Sequence, residues 1–159
     1  MERHANARPG TVGYPMRAYR TAEFLYIRNF EPDRWPAGDP PAFRDIDGGP
    51  TKKYIVDNRE DPAVKPFFEL ACGKRPAEEL YDVKKDPAEL KNVAGEAAYA
   101  EALKKLSAAL TAELRATGDP RIVGGAEKID EYPYRGGGGG GGGKKQPAKT
   151  KAGEKKKTN

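Results

Sequence analysis

The spacing of apolar positions changes along the chain, and each change predicts an element. From Met16 to Phe30, "MRAYRTAEFLYIRNF", Met16 and Ala18, then Phe24 and Tyr26, alternate with Arg17, Tyr19, Leu25 and Ile27. A two-residue period belongs to a strand, whose successive side chains point to opposite faces. Thr21-Ala22-Glu23 between the two runs predicts a tight turn and so an antiparallel hairpin. Phe24 to Ile27 is apolar on both faces, which predicts that the second strand is central. Another short strand is predicted over Glu79 to Val83, where Leu80 alternates with Tyr81.

Further on the period lengthens. "EAAYAEALKKLSAALTAELRATGDP" places Tyr99, Leu103, Leu106, Leu110 and Leu114 at spacings of 4, 3, 4 and 4, which is one face of a helix. Gly118 and Pro120 end it, after about 22 residues or roughly 33 Å at 1.5 Å per residue. Just before this run, Asp86 is placed as an N-cap, Pro87 as a first helical residue and Glu89 as the closing partner of a capping box. "AVKPFFELACG" predicts a short apolar helix closed by Gly73, and Tyr54 to Val56 a short strand or helical turn.

The remaining segments lack periodicity. Residues 1–15 are polar and rich in Arg, Gly and Pro, which predicts a loop. "EPDRWPAGDPPAFRDIDGGP" is too rich in Pro and Gly for a helix or an interior strand, so a long loop anchored by Trp35 and Phe43 is expected. Residues 122–135 read as an irregular extension. Eight consecutive glycines, 136–143, and the Lys-rich residues after them predict a disordered linker and tail. The fold class expected is α+β, a small antiparallel sheet of about four strands packed against one long C-terminal helix, with residues 16–121 as the folded unit.

Charge alters this picture only at the C-terminus. The net charge of +5 is concentrated in residues 144–159, where seven Lys face only Glu154, so the rest of the chain is close to neutral. A basic folded surface for nucleic acid is therefore not expected. A flexible cationic tail suits either a solubilising extension or a non-catalytic binding module that engages polyanions, whether sulfated glycan or nucleic acid.

Candidate chemistry is sparse. Cys72 is the single cysteine and His4 the single histidine, which excludes an internal disulfide and a histidine cluster. Cys72 reads as a buried structural thiol. No Ser/His/Asp order and no phosphate loop opening a helix is present. Asp57-Asn58 reads as a surface turn, not a metal pair. No 18-residue apolar run and no charged-then-apolar leader follows Met1, so neither a membrane span nor a signal peptide is expected in this chain, and its localisation is left open.

Four stretches, "ERHANARPGTVGYPMRAYRT", "FLYIRNF", "GKRPAEELYDVKKDPAELKNVA" and "ATGDPR", follow one another in an order that resembles the C-terminal region of sulfatases of the N-sulfoglucosamine sulfohydrolase (heparan N-sulfatase) type. The resemblance covers Glu2 to about Arg121. It implies a large N-terminal domain resembling alkaline phosphatase, followed by a smaller antiparallel sheet with a long helix on one face. It also implies hydrolysis of sulfate esters or sulfamates through a formylglycine, made from Cys or Ser in a C/S-x-P-S-R motif, beside a calcium ion. Cys72 is followed by Gly-Lys-Arg-Pro and does not fit that motif. The expectation is therefore a non-catalytic portion of a sulfatase, with no catalytic, cofactor or metal residue of its own. Its expected partners are the N-terminal domain and a sulfated polysaccharide.

The resemblance places "ERHANAR" near the junction of the two domains. Arg3, His4 and Arg8 are thus the candidates for meeting anionic groups of a sulfated sugar, against the alternatives of an interdomain salt-bridge cluster or a solvated loop. Arg17 and Arg20 are expected to pair with acidic residues of the adjoining strand, and the tyrosines to pack in the core and on the sheet.

Overall fold

The computed structural model describes residues 2–4 and 7–131, with the backbone alone for Glu2–His4 and Thr11. The expected disordered segment, residues 136–159, lies outside the described residues.

The hairpin forms as its alternation predicts. Strands β1 (Glu2–His4), β2 (Gly13–Arg20), β3 (Phe24–Asn29) and β4 (Glu78–Asp82) lie in the order β1-β2-β3-β4, all antiparallel. Thr21 closes the turn, accepting the N–H groups of Glu23 and Phe24 on its Oγ1. β3 is central, paired with β2 from Met16↔Asn29 to Arg20↔Leu25 and with β4 from Phe24↔Asp82 to Arg28↔Glu78.

The body of the sheet has three strands, not the four expected. β1 pairs only with Gly13, Tyr14 and Pro15, whereas β3 pairs with β2 from Met16 onward. The two ladders use successive halves of β2, so β1 lengthens the sheet as a ribbon instead of widening it. This ribbon also corrects the expectation of an uninterrupted loop over residues 1–15.

One face of the sheet carries the main core. The strand period turns Phe24, Tyr26, Arg28 and Leu80 toward α3 (Ala100–Ala116), whose Leu106, Leu110 and Leu114 are buried against Tyr26, Leu80 and Val93. Burying each such leucine contributes about 1.5–3 kcal/mol before chain entropy is set against it. Arg28 crosses to the helix and donates to Ser107 Oγ at 2.7 Å and Thr111 Oγ1 at 3.1 Å. The helix has 17 residues, shorter than expected, because residues 97–99 form a 3-10 turn and Tyr99 becomes the N-cap.

No helix starts at Asp86. Asp86 Oδ2 accepts the N–H groups of Leu90 and Lys91, each at 2.7 Å, and Glu89 takes φ +55°, so the capping residues close a single turn. The chain then runs along the outer edge of β4. Leu80 donates its N–H to Asn92 Oδ1 at 2.9 Å and accepts the Val93 N–H at 2.8 Å. A helix through this stretch would forfeit those edge bonds and the burial of Val93.

A smaller cluster lies beside the sheet. α1 (Pro50–Asp57) and α2 (Lys65–Cys72) pack with the Pro-rich loop around Ala37, Phe43, Phe68 and Cys72. Trp35, Phe43 and Phe68 meet edge to face at 5.6 and 5.5 Å. Gly73 ends α2 so tightly that a Cβ there would lie 2.6 Å from the Glu69 carbonyl oxygen. Two short helices, α4 (Pro120–Val123) and α5 (Glu127–Glu131), occupy much of the stretch read as irregular.

Candidate functional site

The opening segment is fastened to the Pro-rich loop by one side chain. Arg8 is buried and donates to the Trp35 carbonyl at 2.8 Å, the Pro36 carbonyl at 2.9 Å and Asp45 Oδ2 at 2.6 Å. Its guanidinium also stands 5.8 Å from the centre of the Tyr14 ring. The loop can approach this closely because Gly38 adopts φ +85°; a Cβ there would come within 2.8 Å of the Ala7 Cβ. The partners of Arg8 are thus internal to the described chain. The side chains of Arg3 and His4 lie outside the described residues, although their backbone places both on β1, opposite Tyr14 and Gly13.

A second set of charges ties the chain's last elements to the sheet. Arg17 donates to Asp119 Oδ2 at 2.6 Å, and Asp130 accepts from Arg34 at 3.0 Å and from the Gly13 N–H at 3.3 Å. Arg121 lies 3.5 Å from Asp130. Burial alone would raise both carboxyls. Hydrogen bonds from Arg17 and the Arg121 N–H to Asp119, and from Arg34 and the Gly13 N–H to Asp130, outweigh it and hold both below the ordinary value. The acid that meets Arg17 therefore follows α3, since its cross-strand neighbour is Arg28. Arg20 pairs with Glu89 at 2.5 Å, an acid of the turn after β4.

The third polar group lies on the face of the sheet away from α3. Glu79 is buried there, accepting from Asn29 at 2.7 Å and from the Tyr81 hydroxyl at 2.5 Å. Burial is the largest cause that raises Tyr81 above the ordinary phenol range, followed by its bond to Glu79. Tyr14, beside them, is pushed up to about 12 by burial and then by the nearby Glu79 charge, so it stays protonated at neutral pH. Reading the tyrosines as packing residues missed this polar cluster; its one sequence signal is the shared parity of Glu79 and Tyr81 on β4.

Cys72 is buried against Phe43 and Phe68, and burial raises its thiol above the ordinary value. That suppresses the thiolate. Asp57 is the last residue of α1, not part of a turn, and pairs with Lys53 one helical turn earlier at 2.5 Å on the exposed side. Among the described residues no three or more His, Cys, Asp or Glu side chains lie together as a metal site. Cys72, buried and followed by Gly-Lys-Arg-Pro, does not fit the formylglycine motif that the resemblance implies. Among the described residues no helix is long and apolar enough to cross a membrane.

A three-stranded antiparallel sheet backed by one long helix, with Arg8, Arg17 and Glu79 tied to internal partners, defines a small α+β packing module. Compared with known proteins, the chain is 31% identical over 131 residues to an ulvan-active sulfatase of Formosa agariphila, a match that takes in 73% of this chain. The chain is related to a sulfatase and spans 19% of the length of that relative. No family model matches it.

Proposed function

We propose that this chain is the C-terminal, non-catalytic portion of a sulfatase-type hydrolase acting on sulfuric esters or sulfamates. The formylglycine and calcium chemistry belongs, in this reading, to a larger N-terminal body. The observation that carries it is the match of nearly three-quarters of the chain to one-fifth of a sulfatase. The module's form supports the same reading, since it is a small antiparallel sheet with a long helix on one face, as the resemblance implies for that portion. A sulfated polysaccharide is the proposed substrate class, as the relative's description as ulvan-active suggests for that protein. Of the N-sulfoglucosamine type, the four sequence stretches quoted above are the support.

Within such an enzyme the opening segment faces the junction of the two bodies. Arg3 and His4, on the short β1 ribbon, are offered to the sulfated sugar. Arg8 belongs to the same proposal as their support, because its guanidinium is held by Asp45 and two carbonyls and fixes where the ribbon leaves the module.

The test is the polypeptide as its own cells make it. Its intact mass should lie far above the 17.3 kDa of residues 1–159, and its peptides should include a C/S-x-P-S-R sequence. A 17.3 kDa polypeptide unaccompanied by a sulfatase body would overturn the proposal.

A further inference from the structure

β2 and β3 separate after one last rung, in which the Phe30 N–H donates to the Pro15 carbonyl at 3.1 Å. In an antiparallel pair, alternate residues turn both backbone groups toward the same neighbour. Gly13 shares the parity of Pro15, so its N–H and C=O point to the side that β3 has left. Gly13 is buried, and buried backbone groups need partners.

Two side chains stand in for the departed strand. Asp130 Oδ1 accepts the Gly13 N–H at 3.3 Å, and Arg34 donates to the Gly13 carbonyl at 2.9 Å. The same guanidinium donates to Asp130 Oδ2 at 3.0 Å, which closes a ring of three residues drawn from three parts of the chain. Only 23% and 20% of the Arg34 and Asp130 side chains are exposed. Arg34 is steadied in turn, because Arg8 binds the carbonyls of Trp35 and Pro36 just after it. Asp130 arrives on α5, a helix that buries none of its own residues. α5 therefore adds little to the apolar core, and its polar contacts are its contribution.

Gly13 lies directly opposite His4 in the β1–β2 ladder, with Tyr14 opposite Arg3. A two-stranded ribbon this short is marginal by itself, so its course depends on what holds its base. Charge-assisted hydrogen bonds are stronger than neutral ones, and here they grip both backbone groups of one residue. We propose that Asp130 and Arg34 are positioning residues, which hold Gly13 so that the β1 ribbon presents Arg3 and His4 to a sulfated sugar, a proposal that rests on the function proposed above. The pair acts through the backbone of β2 and does not touch the sugar.

The test uses the polypeptide as its own cells make it, with substitutions placed in its gene. Sulfate release from ulvan and from heparan sulfate gives kcat and KM on whichever polymer is cleaved. Asp130→Ala removes both contacts. It is expected to raise KM about tenfold while kcat falls less than about twofold, since a displaced ribbon weakens polymer binding without reaching the reaction centre. Asp130→Asn keeps an acceptor for the Gly13 N–H and is expected to recover most of that loss. An unchanged KM, a loss carried by kcat, or an Asn variant no better than the Ala variant would each overturn the proposal. Should the Ala variant not fold, Arg34→Lys is the second probe, because an ammonium lacks the planar fork that serves the carboxylate and the Gly13 carbonyl together. It is expected to raise KM about threefold, and an unchanged KM again overturns the proposal. Wild-type turnover of 4-nitrophenyl sulfate separates the two readings. An active enzyme whose KM ignores these variants refutes the positioning role alone. An active enzyme that cleaves neither polymer refutes that role together with its substrate class, and an inactive 17.3 kDa monomer refutes both readings.

Discussion

The two best-placed ion pairs of this chain join residues far apart in sequence. Arg8 meets Asp45, and Arg17 meets Asp119. Each leaves a half-buried or buried charge behind if its partner is removed, and such a loss outweighs the gain of an exposed pair on a strand. Asp119 also caps α4 by accepting the Arg121 N–H at 2.9 Å. Its carboxyl is held below the ordinary carboxylate value in the folded chain, against the effect of burial, by the bonds from Arg17 and the Arg121 N–H. A depressed carboxylate contributes stability that is present above its unfolded value and is lost as pH falls through the folded one. The chain is thus expected to lose stability progressively as pH drops below about 4. Asp119→Asn should be less stable at pH 7 by about 1–2 kcal/mol and should show a shallower decline on acidification, measured by urea unfolding at a series of pH values. Parallel curves for the two proteins would show that the Arg17 contact contributes nothing.

At the scale of elements, regular periods were legible and compromises between competing contacts were not. The Leu106, Leu110 and Leu114 spacing announces α3 because a helix repeats one face every three or four residues, whatever it packs against. Apolar residues on both faces of Phe24 to Ile27 identify β3 as central, because a strand flanked on both edges and covered on both sides exposes neither face. Asp86-Pro87-Ala88-Glu89 deceives, because a side-chain oxygen that caps a helix equally well caps one turn. Which occurs is decided by Leu80 and Val93, and no local rule reports an edge bond to a strand. The polar cluster of Asn29, Glu79 and Tyr81 was hidden similarly, since residues on one parity of a strand read alike whether they face an apolar core or a polar cluster. Leu110 lies at the centre of the helix's buried stripe and is 3% exposed. Leu110→Ala is expected to cost about 2–5 kcal/mol in chemical denaturation, more than Leu103→Ala at the half-buried margin. Equal losses would mean that α3 does not carry the core as described.

For the molecule as a whole, two apolar clusters and a half-covered sheet form a unit that buries one face well and leaves the other unfinished. This asymmetry and the 19% share of a sulfatase that the chain spans lead to the same account, of a module that supports a reaction centre housed elsewhere. The most direct measurement is sulfate release from 4-nitrophenyl sulfate, with calcium present, by residues 1–159 and by the polypeptide from its own cells at equal concentration. The account predicts release by the native polypeptide and none above the blank by residues 1–159. Turnover by residues 1–159 alone, or its absence from both, would contradict it.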